Sequence, residues 1–288
     1  MLFDVHEVMA GTAAFSAYLS GLADGYGLLP YQGGKWRERR ELADLVGAAG
    51  FLPADMSAAH LNDLGPWGKT WAVLLNPTLR EGVIDALEDS QKSDAKELYA
   101  RLHGGRVPVN EILYAAEFLW LQRLSFGNKA VGVKDGRWFS PGFNESSAYG
   151  KAATERFGKI NPMIPSLLDR LRGYDWSKTV GWTATQQDAA TLQLPRTAKR
   201  KLILIDPPYE NKTAYPVDVE TGRLDVAALG AELERRLFSG MIVITEAEPI
   251  EELVEAGWEK TRLLSSRHHD GSAMKGKHEE WATYVVVG

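Results

Sequence analysis

Lys201-Leu202-Ile203-Leu204-Ile205-Asp206-Pro207-Pro208-Tyr209 is an apolar run that stops abruptly at an acid and two prolines. A continuous run of branched aliphatic residues reads as a strand buried on both faces, the kind found in a parallel sheet. The two prolines lack backbone donors and fix the chain direction, so the strand ends there. Working outward, similar short runs recur at Phe3–Val8, Ala58–Asn62, Val180–Ala184, Met241–Thr245 and Trp281–Val287. Amphipathic stretches such as Trp36–Val46 and Val226–Leu237 lie between most of them. Strand alternating with helix predicts an α/β fold, with a mostly parallel sheet covered by helices on both faces. Thr261–Ser265 and the final run are expected to close the sheet as an antiparallel hairpin.

The alternation is interrupted between Pro77 and Asp175, where no convincing buried strand appears and Val109–Arg123 is a strong amphipathic helix. The expected organisation is a sheet domain built from residues 1–76 and 177–288, with a helical insertion at residues 77–176. The chain has 288 residues, enough to bury a full core. No run is long and apolar enough to span a bilayer, and the N-terminus lacks a charged-then-apolar secretory layout, so a cytosolic location is expected.

Cysteine is absent. That removes thiolate catalysis, disulfides and cysteine-ligated metal clusters. The six histidines are scattered, and no metal site is expected. A net charge of −5 is neutral on the question of a polyanionic partner, because phosphate contacts are local. Basic residues gather at Lys35 to Arg40, Lys129 to Lys159, Arg196 to Lys201 and Arg267 to Lys277.

Several segments carry residues suited to ligand chemistry. Asp206 stands just past the carboxyl end of its strand, which is where open parallel sheets hold their ligands. Val5-His6-Glu7-Val8-Met9-Ala10-Gly11-Thr12-Ala13 leaves the first strand through a small-residue turn and enters a helix, whose first amides suit a carboxylate. Tyr31-Gln32-Gly33-Gly34-Lys35 pairs a loop able to wrap closely with a cation. His60-Leu61-Asn62-Asp63-Leu64 ends another strand in an acid suited to sugar hydroxyls, and Gln187-Asp188-Ala189-Ala190 places an acid after the next one. Asp188 is equally suited to capping a helix.

Asp206-Pro207-Pro208-Tyr209 resembles the signature of amino-methyltransferases. Tyr31–Lys35 resembles the Gly-Gly-Lys cofactor motif of the Dam-like adenine-N6 DNA methyltransferases, and Glu7-Val-Met-Ala-Gly11 resembles their Glu-Pro-Phe-Ala-Gly loop with Val8-Met9 in place of Pro-Phe. The two motifs stand in the reverse of the usual order. Phe118-Leu-Trp-Leu-Gln-Arg123-Leu-Ser-Phe-Gly127-Asn128 and Trp138-Phe-Ser-Pro-Gly-Phe143-Asn144 resemble segments of the family's target-recognition part. Lys277-His-Glu279-Glu280-Trp-Ala-Thr-Tyr284 resembles its closing strand.

The resemblance implies a Rossmann-like S-adenosylmethionine-dependent methyltransferase sheet with a helical target-recognition insertion, and double-stranded DNA as partner. It implies a cofactor, S-adenosylmethionine, held by Glu7, Met9, Ala10, Gly11, Tyr31, Gln32, Gly33, Gly34, Lys35, Asp63, Leu64, Asp188 and Ala189. Lys35 is expected on the cofactor's methionine carboxylate, and Asp188 on its adenine amine. Asp206, Pro207, Pro208 and Tyr209 are the expected catalytic group. The Asp206 carboxylate and Pro207 carbonyl would accept the protons of an adenine exocyclic amine, and Tyr209 would stack on the extracted base. Arg123, Asn128, Lys129, Lys134, Arg137 and Asn144 are the expected DNA contacts. Leu202 to Tyr215 also resembles the catalytic segment of a ribosomal-RNA adenine methyltransferase, which keeps RNA as an alternative. Cytosine-N4 chemistry is a more distant alternative, carbon-5 chemistry fails for want of a cysteine, and a relative that binds DNA without catalysis is a further reading.

Overall fold

The computed structural model describes residues 1–23, 27–29, 35, 38–126, 129–144, 163–194, 199–207, 224–267 and 277–288. Nine strands lie within these residues: β1 (Phe3–Val8), β2 (Met56–Asn62), β3 (Gly132–Lys134), β4 (Arg137–Phe139), β5 (Thr183–Thr185), β6 (Arg200–Ile205), β7 (Gly240–Glu246), β8 (Glu259–Arg267) and β9 (Lys277–Val287). The helices described are α1 (Ala14–Leu19), α2 (Arg39–Ala48), α3 (Pro66–Leu75), α4 (Pro77–Ser90), α5 (Ala95–Leu102), α6 (Glu111–Leu124), α7 (Met163–Gly173), α8 (Val226–Arg236) and α9 (Glu251–Glu255).

Seven strands form one sheet in the order β5-β2-β1-β6-β7-β9-β8. The first five are parallel, and β9 enters antiparallel between β7 and β8. The chain builds outward from β1 through β2 to β5, then returns to β1's other side to lay down β6 and β7. The order therefore reverses between β1 and β6, and a crevice outside the carboxyl ends of the strands at such a switch point is the favoured ligand position of a Rossmann-like sheet. Val8 is in register with Ile205 at that end.

The two faces of the sheet are read directly from alternation along the strands. Phe3, Val5, Leu202, Leu204, Met241 and Val243 enter one apolar cluster, while Val8, Ile203, Ile205, Ile242 and Ile244 enter another. The second cluster is closed by Leu229 and Leu233 of α8 and Leu253 of α9. The first runs without interruption from the sheet into α3, α6 and α7, joining Phe3 to Trp71, Trp120 and Leu171. The interval expected as an insertion thus shares the core of the sheet. Gly68 permits this approach: a Cβ there would collide with the carbonyl oxygens of Asp63 and Thr185.

The expected strands stand with shifted ends. β5 starts at Thr183 rather than Val180, because Gly181 turns the chain in the left-handed region and leaves Val180 exposed. The closing hairpin forms as β8 and β9. The pair β3–β4, inside the interval read as helix and loop, is new. Its strands have three residues each and are joined by Asp135-Gly136, both at positive φ, as a tight hairpin turn requires. Among the described residues no helix is long and apolar enough to cross a membrane.

Candidate active site

The carboxyl ends of β1, β2, β6 and β7 and the amino end of β9 meet at one edge of the sheet. Asp206 follows β6 directly, and its backbone N–H donates to the Val8 carbonyl at 3.3 Å. Thr245 and Glu246 end β7. Because β9 runs against β7, with Trp281 opposite Glu246, Glu280 is delivered to the same edge from the other chain direction. Lys35 reaches in beside them. Its Nζ lies 2.6 Å from Asp206 Oδ1 and 2.8 Å from Glu280 Oε1, with only 3% of its side chain exposed. The Thr245 hydroxyl donates to the same Asp206 oxygen at 3.2 Å.

One lysine is thus surrounded by an excess of carboxylates. Burial pushes Asp206 up to about 6, with Lys35 opposing the rise and Glu280 adding to it. Glu246 is pushed to about 7 by burial and by the charge of Asp206. Glu38, three residues after Lys35, is raised to about 7 by burial and by Glu280. Glu246 and Glu38 therefore hold their protons into the neutral range, whereas Asp206 gives its own up below it. The sequence places Glu280 only within the segment that resembles the closing strand, with no role of its own, and Glu246, Thr245 and Glu38 were not singled out. One signal was present, since Met241-Ile-Val-Ile-Thr-Glu246 is an apolar strand ending in an acid, the feature that marks Asp206.

The loop after β1 is tightly built. Met9, Gly11 and Ala13 all take positive φ, a costly conformation for the two residues that carry a Cβ. Three bonds tie it to the β2 side of the sheet and to α3, namely Ala10 N–H to the Asn62 carbonyl (2.8 Å), Gly11 N–H to Asp63 Oδ2 (3.0 Å) and the Trp71 indole N–H to the Gly11 carbonyl (2.9 Å). A fourth closes it internally, from Ala13 N–H to the Ala10 carbonyl (2.7 Å). Asp63 therefore works as a clamp. Its second oxygen accepts from Gly65 N–H at 2.8 Å, tying the turn after β2 to the turn after β1. Burial raises Asp63 to about 6 in spite of these two donors.

Glu7 accounts for the first turn of α1. Its Oε2 accepts from the Ser16 backbone N–H (2.9 Å) and hydroxyl (2.5 Å), so amides expected to face a ligand carboxylate are taken by the protein's own. Burial lifts Glu7 to about 7. Asp188 caps a short 3-10 turn, Ala189–Thr191, through the Ala190 N–H at 2.9 Å, and Ala189 is buried in the second apolar cluster. Leu64 lends its carbonyl to the Gln186 side chain. Lys35, Asp206 and Pro207 are described. Tyr31, Gln32, Gly33, Gly34, Pro208 and Tyr209 lie outside the described residues.

The expected DNA contacts fall into separate groups. Lys134 and Arg137 face each other across the β3–β4 hairpin and are exposed, with an Arg137 Nη1 donating to the Gly104 carbonyl at 2.9 Å. Arg123 turns instead towards α7. Its guanidinium approaches the Ser166 hydroxyl at 3.4 Å, and burial beside Arg170 lowers it to about 10. The Lys129 carbonyl accepts from Gln122 and Ser125, closing the end of α6, and the Asn144 backbone N–H donates to Leu124. Asn128 lies outside the described residues. Of the cluster from Arg196 to Lys201, Lys199 pairs with Asp4 at 3.2 Å and Arg200 stacks over Phe51, both at the opposite edge of the sheet from Asp206. Among the described residues no group of histidine and carboxylate side chains is arranged to hold a metal ion.

Tyr114 of α6 connects the hairpin region to this edge. It packs on Trp138 of β4, with ring centroids 5.0 Å apart, and hydrogen-bonds Gln186 beyond β5. No model of a known protein family matches the chain, and no curated protein matches it.

Proposed function

We propose that this protein is an S-adenosylmethionine-dependent DNA methyltransferase acting on the exocyclic N6 amine of adenine. The observation that carries the reading is Asp206, held by Lys35 and Thr245 through Oδ1 at the switch point of a Rossmann-like sheet, directly before Pro207. At pH 7 to 8 a carboxyl with a midpoint of about 6 is ionised and ready to accept a proton from an amine.

The excess of carboxylates around Lys35 fits the cationic part of the cofactor, with Glu246 and the Met9–Gly11 turn as the residues beside it. When bound, S-adenosylmethionine supplies an electrophilic methyl on a sulfonium sulfur, so that N–C bond formation leaves a neutral thioether and releases one amine proton. Asp206 and the Pro207 carbonyl accept the hydrogens of the amine, which directs its lone pair away from the ring. The same acceptors favour the positive charge that develops on nitrogen. Tyr209, by resemblance, supplies the flat face for a base taken out of the duplex. The exposed Lys134–Arg137 hairpin suits the phosphates of double-stranded DNA.

The test is transfer of labelled methyl from S-adenosylmethionine to an adenine-containing duplex by the wild type and by Asp206→Ala. Turnover by the wild type, its loss in the variant and cofactor affinity kept within about threefold are expected, because the carboxylate acts on the amine. Turnover retained by Asp206→Ala removes Asp206 from the mechanism.

A further inference from the structure

Two protein donors converge on one oxygen of Asp206. Lys35 Nζ and Thr245 Oγ1 both address Oδ1, at 2.6 and 3.2 Å, while no described residue is paired with Oδ2 and the side chain keeps 16% of its surface exposed. A carboxylate held through one oxygen presents the other in a fixed direction. Lys35, in turn, is held between two carboxylates. Glu280 Oε1 lies 2.8 Å from its Nζ and comes from a strand that runs opposite to β6 and β7. An ammonium on a four-carbon stem is a mobile group when it has one partner. With acceptors from β6 and β9 on either side, it has one position.

We propose that Glu280 is a positioning residue: acting through Lys35, it fixes Asp206 with Oδ1 turned into the protein and Oδ2 presented to the substrate amine. This rests on the methyltransferase reading, and it gives Lys35 a different task from the one its Gly-Gly-Lys resemblance implies. An ammonium already matched by two carboxylates, with Glu38 and Glu246 close by, is a poor site for a third anion, the carboxylate of the cofactor. Lys35 serves Asp206.

The anchoring has a signature that general loosening of the fold does not produce. Among the described residues, the groups acting electrostatically on Asp206 or acted on by it are Lys35, Glu280, Glu7, Glu38 and Glu246, with Thr245 as a neutral donor. The charge of Lys35 lowers the Asp206 midpoint and that of Glu280 raises it. Removing either charge therefore moves the midpoint in opposite directions.

The experiment compares the wild type with Lys35→Met and with Glu280→Gln, the latter nearly isosteric and therefore the safer fold. Carboxyl 13C titration of labelled aspartate gives the Asp206 midpoint, calorimetry gives the S-adenosylmethionine Kd, and methyl transfer at saturating cofactor and DNA gives kcat. The expected result is a higher midpoint in Lys35→Met and a lower one in Glu280→Gln. Both variants are expected to keep the cofactor Kd within about threefold and to lose at least tenfold in kcat, on the scale of about 10²-fold for a misplaced catalytic group. A cofactor Kd raised tenfold or more in Lys35→Met with kcat preserved overturns the proposal, as does Glu280→Gln with unchanged kcat. Should the wild type transfer no methyl at all, the functional reading falls by itself. In that event opposite midpoint shifts sustain the anchoring, and unmoved midpoints overturn it.

Discussion

Replacing Glu7 with glutamine is expected to stabilise the protein at pH 8 and to change little at pH 4. Glu7 is 3% exposed and receives both the backbone N–H and the hydroxyl of Ser16. These bonds favour the ionised form, yet burial outweighs them and raises the carboxyl from 4.5 to about 7. The folded state then binds its proton more tightly than the unfolded chain does. The contribution of Glu7 is fully present below pH 4.5 and is lost as pH rises through about 7. At about 1.4 kcal/mol per pH unit the loss is about 3 kcal/mol, a ceiling that local relaxation lowers. Glutamine keeps an acceptor for Ser16 and carries no charge to desolvate, although its amide group must find room where the second oxygen stood. A net gain of about 1–2 kcal/mol at pH 8 is expected. Urea unfolding of the wild type and Glu7→Gln at pH 5 and pH 8 measures it. A Glu7→Gln protein that falls below the wild type at pH 8 by more than at pH 5 would show instead that Glu7 stabilises as an anion.

Two further outcomes are expected. Gly68→Ala drives a methyl group into the carbonyls of Asp63 and Thr185, so it should cost at least about 2 kcal/mol in the same unfolding assay; an unchanged midpoint would show that the two turns yield freely. Neutralising Lys134 and Arg137 together should weaken duplex binding and reduce the salt slope of log K by about 1 per lost phosphate contact, read by titration at several salt concentrations; an identical slope would return the hairpin to ordinary surface.

The fold was legible where the period of hydrophobicity is unambiguous. Leu202–Ile205 and Met241–Ile244 are apolar without a break because both faces are covered, and such runs announce central parallel strands. Gly132–Lys134 and Arg137–Phe139 were not legible, since three-residue strands carry too little period. Only Asp135-Gly136, a favoured hairpin pair, marked them. In the site, Asp206 was legible from its place after a strand. Glu280 was not, because its position depends on β9 running antiparallel beside β7, a fact of topology rather than of local sequence. Asp63 and Glu7 were recognised as important acids, but sequence does not show which neighbour an acid serves. Here both bind backbone amides of the protein and shape the turns around β1.

The excess of carboxylates also explains why Lys35 is so deeply buried. A lysine with 3% of its side chain exposed is stable only when paired, and losing one partner of a buried pair costs about 3–5 kcal/mol. Asp206 and Glu280 share that ammonium, so β9 and the end of β6 are joined through it at this edge. Under the proposal above, stability and function are linked locally, because the ion pairs that hold this edge together would also orient the acceptor.

The most direct measurement is the chemical identity of the product. Duplex DNA of mixed sequence and ribosomal RNA are each incubated with the protein and isotopically labelled S-adenosylmethionine, digested to nucleosides and resolved by mass spectrometry. Label in N6-methyladenine from the duplex is expected, formed by the wild type and absent with Asp206→Ala. Label confined to the RNA, label on cytosine, or no label in either nucleic acid would contradict it.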